Sequence, residues 1–390
     1  MTEQKIEWDE EAEEDDTYSQ IEEYEISTSP NDFNVSTIYN FIISGAVKIP
    51  GFQRNFVWDK RRSSKLIESL LLGLPVPQIF LYQDGRNSFL VIDGQQRLMS
   101  IYYFMKKRFP RNDKRVELRR IFAENFGNIP DEILDDDDYF ESFKLTLPEN
   151  LPGHPNRFNG LSYSTLGDYR TTLDLRTIRN IIVQQNSPSD DSSSVFEIFN
   201  RLNSGGVNLT PQEIRASLFH STFYELLQKL NLNDRWRELL GGAEPDLHLK
   251  DVEVLLRSFA LLIWRRNYAP SMTKFLNSFS KFSERNTEET NNRYENIFLG
   301  FLDSISELPN RSFHNERNNR FQVTLFESVF YACCVEAIEG DISKIKRVNH
   351  QGIQRLTSDP EFISASTEGT SKSDNVNKRL DRACLLLFEG

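Results

Sequence analysis

The sequence predicts an α+β protein, and three observations carry that expectation. Phe89 to Ile92 is an unbroken apolar run of strand length. Directly after it, Leu98, Ile101, Tyr102 and Met105 recur at i, i+3, i+4 and i+7, the spacing of a helix with one buried face. From Leu247 onward, helical periods dominate. The expected layout is an acidic, disordered tail over 1–30, a module with a small mixed sheet over 31–220, and a mainly helical domain over 221–390.

Composition supports a folded chain. Its 390 residues are 38% hydrophobic with 29 Phe and 13 Tyr, enough to bury a sizeable core. No apolar run reaches the roughly 18 residues that span a bilayer, and the amino-terminal stretch is acidic rather than signal-like. Cys333, Cys334 and Cys384 have no metal-ligand spacing and read as structural thiols, which fits a reducing cytoplasm. The net charge of −12 is local: residues 1–25 hold twelve acids against Lys5, so the other residues sum to about −1. Such a block reads as a solvated tail, or as a mimic of nucleic acid competing for a basic surface.

In chain order, Val35 to Ser44 has one apolar face and ends at Gly45, a short helix. Val47 to Ile49 reads as a strand. A proline-glycine turn at Pro50 and Gly51 leads through polar residues set among aromatics to Trp58. Asp59 to Leu72 is helical, with Gly73, Pro75 and Pro77 stopping it. Gln78 to Gln83 and Ser88 to Ile92 form a hairpin across Asp84 to Asn87, and its second strand delivers the chain to Asp93.

Asp93, Gly94, Gln95, Gln96 and Arg97 crowd an acid, two amides and a cation into that strand-to-helix turn. A helix N-terminus there presents backbone N–H groups and a positive dipole end to an anion. Gly94 lets the backbone approach the ligand, Arg97 can clamp phosphate oxygens, and Asp93 can hold a metal ion or orient water. The competing reading makes Asp93 the helix cap and Gln95, Gln96 and Arg97 its solvated first turn. Behind this helix, Lys106 to Arg120 carries a local charge of +6, with Lys106, Lys107, Arg108, Arg111, Lys114 and Arg115 as candidate DNA-binding residues. Alternatively the run is a charged face answered by Asp135 to Asp138.

Farther on, Phe143 to Leu147 and Ile178 to Gln185 read as strands, and Ser187 to Ser194 as a polar break. An amphipathic helix from Val195 to Leu202 runs into Asn203, Ser204, Gly205 and Gly206. Those glycines either turn the chain between helices or make an anion-binding nest. Thr210, Pro211 and Glu213 occupy N-cap, N1 and N3, the pattern of a capping box with a favourable first proline. In the last part, Val252 to Trp264, Val323 to Ile338 and Val376 to Phe388 are helical, with Asn286 to Asn292 as a polar linker. That half offers no cluster of chemically useful residues.

Pro50 to Trp58, Leu66 to Pro77, Ile92 to Leu98, and Phe199 to Arg215 follow one another in a pattern that resembles the N-terminal domain of GmrSD-type restriction systems, related to the ParB and sulfiredoxin fold. The Thr370 to Arg379 segment resembles single-module members of that family more weakly. The resemblance implies a nucleotide-binding, often nucleotide-hydrolysing module in bacterial defence against phage or modified DNA. Asp93 to Arg97 match the family signature, Gln53 and Arg54 its first motif, and Asn203, Gly205, Gly206, Glu213 and Arg215 its later one. Many relatives continue into an HNH nuclease domain. Here His154, His220, His248, His314 and His350 are too scattered for such a motif, so any cutting would come from a separate nuclease or other defence subunit, or from an activity at the Asp93 corner itself.

The expected chemistry is therefore hydrolysis of a nucleoside triphosphate with Mg²⁺, governed by positioning and charge neutralisation. In it, Gln95 marks the phosphate cradle, Arg97 and Arg54 neutralise charge, Asp93 holds Mg²⁺ or aligns water, and Gln95 or Gln96 orients the nucleophile. Gln53, Gly94, Asn203, Gly205, Gly206 and Arg215 complete the expected nucleotide site. Two rivals stand beside it: a non-catalytic module that binds DNA or a partner protein, and a direct metal-dependent nuclease.

Overall fold

The structure is a computed structural model that describes residues 6–9, 25–48, 56–115, 117–118, 121, 129–149, 154–187, 198, 210–219, 221–246 and 248–388. The chain divides into two compact units, Glu23–Leu218 and a second made of Met1–Glu22 with Phe219–Gly390. The first is a mixed sheet with helices, and the second is helical apart from one short strand pair. The α+β expectation holds.

Strand β1 (Trp8–Asp9) belongs to the helical unit. The sheet unit opens with β2 (Glu25–Asn34), α1 (Val35–Ile43), β3 (Val47–Lys48) and α2 (Lys60–Leu72). Next come the hairpin strands β4 (Ile79–Gly85) and β5 (Ser88–Asp93), then α3 (Gln95–Lys106). Short elements follow: β6 (Arg108–Pro110), α4 (Asp131–Asp135), β7 (Phe140–Ser142) and α5 (Tyr169–Asp174). The unit closes with β8 (Thr177–Ser187) and α6 (Pro211–Leu218).

Five strands pair in the order β2-β8-β4-β5-β3. The β2/β8 and β4/β5 pairs are antiparallel; β8/β4 and β5/β3 are parallel. Pro30 is tolerated in β2 because that strand lies at the sheet edge, where a missing N–H costs no ladder bond. Residues 25–30, expected in the disordered tail, are thus part of the sheet. The acidic count there concealed Ile26 to Ser29, whose β-branched and hydroxyl side chains suit an exposed edge.

One sheet face and the helices share a core. Ile79, Leu81 and Val91 meet Ile67 and Leu70 of α2 and Leu98, Ile101 and Phe104 of α3 in it. Asp59 caps α2 by accepting from Arg62 N, and Gly73 ends it in the left-handed region. Where α2 and α3 face each other the side chains are small: Ser100 Oγ donates to Gln96 O at 2.7 Å and to Ser63 Oγ at 3.1 Å. An aromatic group completes the core, with Phe56 against Tyr103 and Phe109 at centroid distances of 5.1 and 5.5 Å, and Phe109 against Phe143 at 4.8 Å. Phe143 to Leu147, expected as a strand, is extended but joins no ladder. Leu145 instead exchanges backbone bonds with Gly160 and Leu161, and β7 forms just before it.

In the helical unit, α7 (Thr222–Asn231) and α8 (Asp234–Leu240) are followed by α9 (Lys250–Trp264), α10 (Met272–Ser283) and α11 (Glu288–Ser304). The last part holds β9 (Phe321–Gln322), α12 (Val323–Cys334), α13 (His350–Ser358), α14 (Pro360–Thr367) and α15 (Ser373–Leu386). Asn286 to Asn292, expected as a linker, contains the start of α11: Thr287 caps it by accepting from Thr290 N. Strand β1 pairs in parallel with β9, and Trp8 sets its ring edge-on against Phe321 at 5.7 Å. Among the described residues no helix is long and apolar enough to cross a membrane.

A buried ion triad locks three helices of this unit. Glu327 of α12 accepts from Arg257 of α9 at 3.0 Å and from Arg379 of α15 at 2.9 Å. Arg379 also donates to Ala365 O and Thr370 O, so the 370–379 segment is tied down by a cation. Burial pushes the Glu327 carboxyl up, but the two guanidiniums outweigh it and hold it below the ordinary glutamate range. Its stabilising charge is therefore fully present above that range and is lost only as pH falls through the lower folded value. Substituting Glu327→Gln strands two buried cations and is expected to cost roughly 3–5 kcal/mol in urea unfolding. The triple replacement Arg257→Met, Glu327→Met, Arg379→Met is expected to cost far less, since it leaves no unpaired charge.

Candidate functional site

The site is built where β5 hands the chain to α3. Val91 and Ile92 are buried in the sheet, and Asp93 pairs across to Phe80 before the ladder ends. The turn into the helix takes one residue, Gly94, at φ +105°. A Cβ there would lie 3.0 Å from Ile79 Cγ1 and 3.2 Å from an Arg97 guanidinium nitrogen. Glycine is thus required twice, by the left-handed backbone and by contact with Ile79. The expectation that it clears space for a ligand is replaced, on this side, by packing.

Asp93 does not cap α3. Gly94 is the N-cap residue and contributes no side chain, so the helix starts without a side-chain cap. Asp93 Oδ2 instead accepts from Arg97 Nη2 at 2.7 Å, one turn along, and the same nitrogen donates to Gln78 O at 3.1 Å. The Asp93 side chain stays 41% exposed, while that of Arg97 is 15% exposed. Arg97 Nε is buried with no hydrogen-bond partner. The guanidinium is therefore fixed by an acid and a main-chain carbonyl beside an uncapped helix N-terminus. This arrangement suits a phosphate: orientation is set beforehand and donor capacity remains.

Gln96 departs from its expected catalytic role. Its Oε1 accepts from Val57 N at 2.9 Å and Trp58 N at 3.3 Å. Arg115, expected to bind DNA, donates to Val57 O at 3.2 Å and Trp58 O at 3.0 Å. Together they grip both edges of the 57–58 backbone, fixing the end of the segment that carries Gln53 and Arg54. Gln95 is partly buried at the first helical position. Gln53, Arg54, Asn203, Gly205 and Gly206 lie outside the described residues, as does most of the Val195 to Leu202 helix.

The capping box is present. Glu213 N donates to Thr210 Oγ1 at 3.2 Å, and Thr210 N to Glu213 Oε2 at 2.7 Å. Arg215 sits on α6 almost wholly buried and donates to Gln212.

The basic run is not the open cationic face its charge suggested. Arg108 donates to Leu134 O, Phe140 O and Asp137, and Arg111 to Asp137 O. Lys106 lies 3.5 Å from Asp131, and Lys114 lies 2.8 Å from Glu117. Lys107 is exposed and ends α3 at φ +63°. The physical reason is that α3 stops at Lys106, and the β6–β7 ribbon then folds the run onto the acidic 131–138 segment. The alternative drawn from sequence, a face answered by acids, is the one that the Arg108–Asp137 pair follows.

Among the described residues no three His, Cys, Asp or Glu side chains gather as a metal cage. At the corner the Asp93 carboxylate is partly exposed, with Oδ2 already paired to Arg97.

Residues 35–220 match the GmrSD restriction endonuclease N-terminal domain. An uncharacterized protein of Methanocaldococcus jannaschii is 24% identical over 247 residues, covering 50% of this chain and 41% of that protein. The match thus spans about two fifths of the relative's length. No solved structure matches the chain.

Two substitutions test the corner's construction. Gly94→Ala is expected to destabilise the sheet unit by roughly 1–3 kcal/mol, read from its urea midpoint. Gln96→Ala is expected to leave the fold intact but raise amide exchange at Val57 and Trp58, whose N–H groups lose their acceptor.

Proposed function

Residues 35–220 match the GmrSD restriction endonuclease N-terminal domain family, and from that match we propose that the Asp93 corner binds and hydrolyses a nucleoside triphosphate. The chain would act as the nucleotide module of a cytoplasmic bacterial restriction system against phage or modified DNA, alongside a separate nuclease subunit. The observation that carries this reading is the Arg97 guanidinium, held by Asp93 and Gln78 with Nε unpartnered, at an uncapped helix N-terminus.

In this reading the α3 amides and Arg97 take the phosphate charge, and Arg54 adds to it. Gln95 orients the attacking water; Gln96 is a positioning residue, because its carbonyl holds the 57–58 backbone. Water adds to the γ-phosphorus as the bond to the bridging oxygen breaks, and the diphosphate leaves with that electron pair. Asp93 would hold Mg²⁺, which supplies charge neutralisation across the phosphates. Asn203, Gly205 and Gly206 would close the site, and Arg215 would support it from α6.

Thermal denaturation with each of the four NTPs and Mg²⁺, paired with phosphate release, tests the proposal. One NTP at a hundred times its Kd is expected to stabilise the protein by about 2.7 kcal/mol and raise Tm accordingly. Asp93→Ala is expected to abolish release while keeping the unliganded fold. Unchanged release in that variant, or no response to any NTP, overturns the reading.

A further inference from the structure

Gln96 ties the Asp93 corner to a second surface. Its Oε1 holds the Val57 and Trp58 amides at 2.9 and 3.3 Å, so this backbone lies one glutamine side chain from the α3 N-terminus. Trp58 comes directly before the Asp59 cap of α2, and Arg62 of that helix sets its guanidinium carbon over the Trp58 ring at 4.5 Å. Trp58 is partly buried and packs against the core, whereas Arg62 is exposed. Among the described residues no acid pairs with the Arg62 side chain, and Asp59 accepts from its main-chain N–H. Arg62 is thus a planar cation backed by an indole and otherwise open to solvent.

Such a group is a stacking partner for a nucleobase. The surroundings leave little else for a base to bind. Val57 N and Trp58 N both donate to Gln96, and Val57 O and Trp58 O accept from Arg115 at 3.2 and 3.0 Å, so every main-chain polar group at 57–58 is engaged. The Val57 side chain, 52% exposed, adds only apolar surface. Base edges find no free donor or acceptor on this backbone, while a base face finds a flat cation already held in place. Resting on the reading of the Asp93 corner as a nucleoside triphosphate site, we infer that Arg62 stacks on the nucleobase and that the site takes all four bases alike. Stacking tolerates any base because each has a π-face. Arg62 is then a binding residue, and Trp58 beneath it a positioning residue.

Isothermal titration of the full chain with ATP, GTP, CTP, UTP and inorganic tripolyphosphate, each with Mg²⁺, tests it. The four NTPs are expected to bind within about tenfold of one another, and each roughly tenfold or more tighter than tripolyphosphate, the worth of one base stack. Arg62→Lys keeps the charge but loses the plane; it is expected to weaken every NTP about tenfold and to leave tripolyphosphate unchanged. Arg61→Ala, at the exposed neighbouring position, is expected to bind all five ligands as the native chain does. Native NTP affinity in Arg62→Lys, tripolyphosphate bound as tightly as the NTPs, or one base preferred by much more than about tenfold overturns the inference and leaves the corner's phosphate site standing. Failure of the native chain to bind any of these ligands overturns that site and the inference with it.

Discussion

The sheet unit depends on one backbone constraint: a central strand must become a helix within a single residue. Gly94 satisfies it at φ +105°, pressed against Ile79 so closely that a Cβ would lie 3.0 Å from Ile79 Cγ1. The sharp turn places Asp93 and Arg97 one helical turn apart on the same edge, which makes their 2.7 Å pair possible. It also aims Gln96 at the chain entering α2, so the corner organises the loop beside it as well as any ligand in front of it. A wider turn would part Asp93 from Arg97 and carry Gln96 away from the 57–58 backbone.

The polar residues of this corner divide into those that hold the protein and those left to act. Gln96 and Arg115 hold, because Gln96 Oε1 accepts from the 57–58 amides and Arg115 donates to the 57–58 carbonyls, a peptide edge without ladder partners. Arg97 does both, since one nitrogen is tied to Asp93 and Gln78 while Nε remains unpartnered. Sequence alone does not separate these roles. A glutamine at the second helical position looks the same whether it faces a phosphate or a neighbouring loop.

Much of the fold was legible because its signals are local. The hairpin turn, the Asp59 and Gly73 limits of α2, and the Thr210–Glu213 box are each set by residues a few positions apart, and each forms as read. What escaped depends on distant partners. β2 exists because β8 lies beside it, and its exposed residues show no alternation to reveal that pairing. Phe143 to Leu147 alternates like a strand, yet it joins no ladder, and its exposed face adjoins α2. The basic run shows the same limit: both of its readings stood in the sequence, and only the fold, which brings Asp131 and Asp137 to it, selects the face answered by acids.

The amino-terminal strand has a consequence for how the chain matures. Asp9 receives a bond from Asn315, a residue 306 positions later, and Trp8 packs on Phe321. At a synthesis rate of about 5–20 residues per second, Trp8 leaves the ribosome on the order of tens of seconds before its partner exists. The helical unit therefore cannot be completed vectorially. Its first-made edge waits, unpaired, while the entire sheet unit is translated and given time to fold.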